Sequence, residues 1–314
     1  MSQLAFLFPG QGAQAVGMGK ALIEAFPVAR RVFEEADEAL SDKLSKVILE
    51  GPDDELKRTA NTQPAILTMS VACLRVLEEA GVRAPDFVAG HSLGEYSALV
   101  AAGCLEFQDA VRAVRARGTF MQEAVPVGEG AMAAVMGLDA ERIREVVDGV
   151  SDPGAKTYVA VANYNGPAQT VIAGHKAGVD KAGAALKEAG AKRVLPLPVS
   201  APFHCALMEP VKARLDAVLA DVTCHELKVP VVTNVEAKPN RDAARTRGLL
   251  VDQVVAPVRF TEIAQLLLDE GVTTFVEVGP GKTLVNIVKR MDGGGAFLNV
   301  EDPASLEATL QHLR

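Results

Sequence analysis

Gly90-His91-Ser92-Leu93-Gly94 sets a serine between two glycines at the GxSxG spacing of a nucleophile elbow. A sharp strand-to-helix turn lifts such a hydroxyl clear of the backbone, and the flanking glycines remove the clashes that the turn creates. Here an apolar run, Asp86 to Gly90, precedes the serine and a helix-like run, Leu93 to Ala102, follows it. The competing reading is a serine N-cap on an ordinary strand-to-helix loop. A serine hydroxyl is a poor nucleophile until a base takes its proton, so a histidine is required. There are five. His91 adjoins the serine and should leave the turn in another direction. His175 falls at a loop distant in sequence, and His225 among polar residues at a helix end. His312 lies near the C-terminus, where many α/β-hydrolases keep their histidine. His204, in Val199-Ser200-Ala201-Pro202-Phe203-His204, has the best surroundings, because it stands where an inserted segment rejoins the main body and clefts form at such junctions. Its alternative is a buried histidine satisfied by backbone. No Asp or Glu stands out as a third partner, which leaves a backbone carbonyl as a possible orienting acceptor.

Strand-like and helix-like runs alternate along the chain, the pattern of an α/β protein with a largely parallel sheet under covering helices. Leu4 to Phe8 reads as a strand that enters the turn Pro9-Gly10-Gln11-Gly12, with a helix from about Val16. Gln63 to Ala80 has helical spacing and stops at Gly81, and Phe107 to Ala124 is a further helix. From about Gly128 to Pro198 the rhythm changes to strand 131–136, helix 140–147, strands 157–163 and 169–173, helix 179–189 and strand 193–197. That β-α-β-β-α-β order is ferredoxin-like. The expected organisation is a discontinuous catalytic domain, 1–127 and 199–314, with a ferredoxin-like domain inserted at 128–198. Beyond the insertion the reading is helix 205–220, strands 231–234 and 274–278, and a helix from about Lys282.

The chain has 314 residues, 49% hydrophobic and 23% charged, enough for a large core. Its net charge of −8 argues against general nucleic-acid binding, which needs a basic surface. The opening residues lack a positive start and a long apolar run, and no stretch approaches a membrane span. Cys73, Cys104, Cys205 and Cys224 form no CxxC pair and read as reduced thiols, so a cytoplasmic protein is expected. Metal-ligand spacings are absent, and no metal is expected. Two phosphate motifs fail: Gly279-Pro280-Gly281-Lys282-Thr283 has Val276 where a P-loop begins with glycine, and Gly10, Gly12, Gly17 and Gly19 do not fit GxGxxG.

Six segments occur in order: FPGQGAQ at 8–14, GHSLGE at 90–95, RGTFMQEAV at 117–125, ANYNGPAQ at 162–169, SAPFHCALM at 200–208 and EVGPGK at 277–282. Together they resemble the malonyl-CoA:acyl-carrier-protein transacylases of type II fatty acid synthesis, over essentially the whole chain. The resemblance implies an α/β-hydrolase-like core with a ferredoxin-like insertion, with Ser92 as acyl acceptor and His204 as base. It implies that backbone N–H groups of Gln11 and Leu93 form the oxyanion hole, and that the Gln253 carbonyl holds the histidine. Leu93 suits that role, since a helix N-terminus offers free N–H groups and a favourable dipole. The resemblance also gives Arg117 the malonyl carboxylate, which an arginine fork can meet bidentately. Helical periodicity alone does not choose between Arg115 and Arg117, which flank the apolar face Phe107, Val111, Val114, Gly118 and Met121 on opposite sides. Both could be solvated flank charges. Met121 and Phe203 are expected to touch substrate. Related polyketide acyltransferase domains with Phe at the Phe203 position tend to take malonyl, and those with Ser methylmalonyl, although some stand-alone malonyl transacylases carry Ser.

The expected reaction is a ping-pong transfer from malonyl-CoA, through malonyl-Ser92, to the phosphopantetheine thiol of acyl carrier protein. No cofactor of the protein's own is expected; malonyl-CoA is a substrate and phosphopantetheine arrives on the partner. A monomer is expected, with neither nucleic acid nor membrane as partner. Acyl carrier proteins are acidic, so docking calls for a local basic patch, with Lys192 and Arg193, or Lys282 with Lys289 and Arg290, as candidates. Rival readings are a serine thioesterase using His312 with an upstream acid, malonyl transfer in polyketide synthesis or malonate decarboxylation, and a non-catalytic carrier-binding subunit.

Overall fold

The apolar run that opens the chain is a central strand, buried on both faces. In strand β1 (Gln3–Phe8) Leu4, Phe6 and Phe8 enter one core cluster, while Ala5 and Leu7 enter another on the opposite face. That alternation explains the unbroken apolar run, since a parallel strand covered on both sides has no polar face to show. The structure, a computed structural model, describes residues 3–152, 154–199, 201–291 and 294–313. Ser200, the first residue of the SAPFHCALM segment, lies outside the described residues.

The remaining strands are β2 (Phe87–Gly90), β3 (Gly130–Met136), β4 (Val159–Tyr164), β5 (Gln169–His175), β6 (Arg193–Pro196), β7 (Val231–Val232), β8 (Pro239–Asn240), β9 (Val272–Val278) and β10 (Ala296–Val300). The large sheet runs β10-β9-β1-β2-β7-β8 and is parallel except for the antiparallel edge pair β7–β8. The fold is therefore mixed α/β with a parallel-rich main sheet. A separate antiparallel sheet, in the order β4-β5-β3-β6, comes from 130–196. Helices Ala140–Val150 and Lys176–Glu188 share its apolar face, through Ile143, Val147, Val179 and Leu186.

Several boundaries move from where sequence put them, for local reasons. The first helix begins at Lys20 rather than Val16, because Gly17 and Gly19 take positive φ of 88° and 80° and hold a turn. The long helix expected from Gln63 begins at Thr59 and carries Pro64 at its sixth position, where one backbone hydrogen bond of the second turn is given up. The segment 205–220 splits into a 3₁₀ turn, Ala206–Met208, and a helix, Glu209–Ala220, that starts with a proline in its first turn. The strand expected over 231–234 ends at Val232, and the buried Asn234 turns its polar groups to the site instead. Helices Ala243–Gln253, Phe260–Asp269 and Pro303–Leu313 and strand β10 had no sequence assignment.

Helix Phe107–Glu123 lies against the N-terminal end of helix Thr59–Glu79, and Gly118 sets their approach. A Cβ on Gly118 would lie 2.6 Å from the Thr59 carbonyl oxygen, a backbone atom that cannot rotate away. That closeness brings Arg117 beside Gln63. Alanine ordinarily favours a helix by up to about 1 kcal/mol over glycine, but overpacking costs about 1–3 kcal/mol. The net is a loss of up to about 2 kcal/mol, so Gly118→Ala should lower the melting temperature by up to about 4–8 °C; thermal unfolding that shows a rise would refute this packing account.

Candidate active site

Ser92 sits where β2 turns into helix Gly94–Ala101. Its φ is 53°, a left-handed conformation that a non-glycine residue keeps only when its surroundings impose it. The glycines around it allow the turn to be this tight: a Cβ on Gly90 would lie 2.0 Å from Gly94 backbone, and one on Gly94 2.2 Å from the Phe8 carbonyl oxygen. Asn234 then staples the turn from outside. The Ser92 N–H donates to Asn234 Oδ1 at 2.6 Å, and Asn234 Nδ2 donates to the Gly90 carbonyl at 2.6 Å.

His204 Nε2 lies 2.7 Å from Ser92 Oγ, and Nδ1 lies 2.9 Å from the main-chain carbonyl oxygen of Gln253. A carbonyl can only accept, so Nδ1 carries the proton, and Nε2 of the neutral ring is the acceptor facing the serine hydroxyl. Burial, and after it the charge of Arg117, brings His204 down to about 3, so the imidazole is neutral across the neutral range. His204 also has a left-handed backbone, φ 59°, so both members of the pair are held in sparsely populated conformations.

Arg117, and not Arg115, enters the site. It is 1% exposed, and its guanidinium donates from Nη1 to Gln63 Oε1 at 2.7 Å and from Nη2 to Gln253 Oε1 at 2.8 Å and Ser92 Oγ at 3.0 Å. The Tyr96 ring centroid lies 5.7 Å away. Arg117 Nε has no partner among the described residues. A guanidinium has five N–H donors, so two remain unspent. Arg115 instead reaches Asn61 and, at 3.2 Å, Asp42.

Gln11, Leu93, Met121 and Phe203 line the same cavity of about 90 Å³ as Ser92, His204 and Arg117. The backbone N–H groups of Gln11 and Leu93 donate to no protein group among the described residues, which leaves both available at the cavity. Met132, Asn163 and Leu197, from the segment that carries the small sheet, form part of its wall. A cleft of about 270 Å³ shares Gln11, His91, Asn163 and Leu197 with this cavity and is also lined by Thr283, Leu284 and Ile287 of helix Thr283–Met291. His91 points to Asn165 Oδ1, 2.8 Å from its Nε2. His175 ends β5, His225 lies 3.9 Å from Glu106 and His312 is on the last helix; none bonds to Ser92 among the described residues. Lys192 and Arg193 lead into β6, and Lys289 and Arg290 end helix Thr283–Met291.

The geometry adds groups that sequence reading did not assign: Gln63, Asn234, Glu95 and the Gln253 side chain. Glu95 offered the only signal, as an acid three residues after the serine within GHSLGE. It is 2% exposed, and burial raises its carboxyl to about 7 against the hydrogen bonds and the Arg117 charge that lower it.

The acyl transferase domain family matches residues 5–295. The malonyl CoA-acyl carrier protein transacylase of Bacillus subtilis is 51% identical over 314 residues, covering 100% of this chain and 98% of the relative. That of Escherichia coli K12 is 47% identical over 311 residues, covering 99% and 100%. A solved structure of a type II polyketide acyl carrier protein in complex with its malonyl-transacylase superposes with a TM-score of 0.95 at 45% identity, covering 99% of this chain and 100% of that one. The chain belongs to the acyl transferase domain family, among its malonyl CoA-acyl carrier protein transacylases.

Proposed function

We propose that this protein moves malonyl from malonyl-CoA to the phosphopantetheine thiol of an acyl carrier protein through a malonyl-Ser92 ester, supplying the extender unit of fatty acid synthesis. The observation that carries the mechanism is a shared hydroxyl: Ser92 Oγ lies 2.7 Å from His204 Nε2 and 3.0 Å from Arg117 Nη2. Neutral His204 draws the hydroxyl proton as Ser92 attacks the thioester carbonyl. The Gln11 and Leu93 N–H groups receive the developing oxyanion, each such donor contributing typically ~10²–10³ in rate. The thiolate of CoA leaves with the proton from the imidazolium. The carrier thiol then enters, gives its proton to His204 and attacks the malonyl ester, which returns Ser92. The carbonyl of Gln253 holds the histidine through both half-reactions.

Arg117 supplies the preference for malonyl. Its guanidinium lines the cavity beside Ser92 and can meet the free carboxylate, whose charge would also offset the cation that depresses His204. Met121 and Phe203 shape the wall around the acyl group. Nothing in the geometry favours the thioesterase reading. The small sheet, in the order β4-β5-β3-β6 with two helices on one face, supports a ferredoxin-like domain at 128–198 inserted in an α/β-hydrolase-like core. The proposed working unit is a monomer. No resident cofactor is needed. Unpaired cysteines support work in the cytoplasm, and no helix among the described residues is long and apolar enough to cross a membrane.

Ser92→Ala should abolish the malonyl adduct in intact-protein mass spectrometry after mixing with malonyl-CoA; an undiminished adduct removes Ser92 as acceptor. Loss of charge-assisted hydrogen bonds in Arg117→Ala should lower kcat/KM for malonyl-CoA by about 10–100-fold and for acetyl-CoA far less. Equal losses for the two donors would end the carboxylate assignment. Because the base form of His204 exists above its pKa of about 3, labelling of Ser92 by an uncharged serine probe should stay level from pH 8 down to pH ~5.5. A fall centred near pH 6.5, an ordinary histidine value, would contradict the depressed pKa.

A further inference from the structure

Glu95 does not line the cavity, yet one of its oxygens joins the two supports of the reactive pair. Glu95 Oε2 accepts the Asn234 backbone N–H at 2.9 Å and the Gln253 side-chain Nε2–H at 2.8 Å. Asn234 is the residue that staples the serine turn. Gln253 holds His204 through its main-chain carbonyl, donates from Nε2 to the Ser92 carbonyl at 3.1 Å, and accepts Arg117 Nη2 on Oε1. A carboxamide has a donor end and an acceptor end, and the two are close to isosteric. Reversed, the Gln253 amide would set its NH₂ against the guanidinium and its oxygen against the carboxylate. Glu95 Oε2 and the Ser92 carbonyl both accept from Nε2–H, Glu95 at the shorter distance, so together they oppose that orientation and leave Oε1 to Arg117.

We propose that Glu95 is a positioning residue for substrate selection: by holding the orientation of the Gln253 amide it fixes where the Arg117 guanidinium sits at the cavity, and thereby the preference for a carboxylate-bearing acyl group. This rests on the reading of Arg117 as the carboxylate partner. A purely structural account also exists, since an acid in the first turn of a helix stabilises that helix. It predicts a loss of stability with equal effects on every acyl donor, whereas positioning predicts an effect on their ratio.

The test uses the full-length protein and transfer from malonyl-CoA or acetyl-CoA to holo acyl carrier protein, with thermal unfolding alongside. Glu95→Ala should lower the malonyl-to-acetyl ratio of kcat/KM by about tenfold, the scale of one misplaced charge-assisted hydrogen bond. Glu95→Gln can still accept both donors on its amide oxygen, so it should keep the ratio within about threefold of the parent. Gln253→Met, which keeps the main-chain carbonyl, should reproduce the loss of Glu95→Ala, and the double variant should lose no more than Gln253→Met alone. An unchanged ratio in Glu95→Ala, additive losses, or an unchanged ratio in Gln253→Met would each overturn the proposal. Should Glu95→Ala fail to fold, Glu95→Met, which keeps the bulk and loses the acceptor, takes its place with the same expected fall and the same overturning result. A parent protein that transfers no malonyl would overturn the functional reading itself, which is a separate outcome.

Discussion

A guanidinium sealed from water beside a histidine sets the terms for the rest of this site. Desolvating a charge is costly unless hydrogen bonds replace its hydration, and Arg117 takes that replacement from Gln63, Gln253 and Ser92. The bonds tie together a helix N-terminus, the elbow and the end of helix Ala243–Gln253, which are distant in sequence. The cation also dictates the state of its neighbour. A second positive charge at His204 is disfavoured, so the ring stays neutral with its Nε2 lone pair toward the hydroxyl.

This accounts for a base without an acid. A carboxylate behind the imidazole would favour the imidazolium, and Arg117 would then share its cavity with a resting cation. A backbone carbonyl fixes the same tautomer with less charge. The one buried carboxylate nearby, Glu95, sits behind Gln253, and burial has already weakened its acidity. Polarity in the site is thus graded, from charge at Arg117, through amides, to a carboxyl that touches neither nucleophile nor base.

Legibility in the sequence followed the range of the interactions. The elbow was readable because its demands are local: a left-handed serine needs close-packed glycines within a few positions. The small sheet was readable because strand and helix periods alternate over short distances, and β1 because its two faces are both apolar. Arg117 was ambiguous with Arg115, since both flank an apolar stripe and the deciding partner, Gln63, lies 54 positions away. Asn234 and Gln253 meet the elbow across 142 and 161 positions, and nothing about an isolated amide announces such a contact. The shortened strand at 231–232 and the unassigned helices after it reflect the same limit. There the chain is shaped by what the site requires of Asn234 and Gln253 more than by its own periodicity.

The cavity is walled from two sources. Ser92, His204 and Arg117 belong to the parallel-sheet body, whereas Met132, Asn163 and Leu197 come from the segment carrying the antiparallel sheet. Only one face of the small sheet has a core of its own; from the other, Met132, Ala134, Ala162, Val171 and Ala173 enter the core of the main body. Substitutions on the small sheet can reshape the room for an acyl chain, but they act through that shared core and through backbone bonds from Tyr164 to Val258, five residues beyond Gln253, and from Val258 to Ala162. For descent and for engineering alike, a change of diet in such a molecule is felt by the parts that digest.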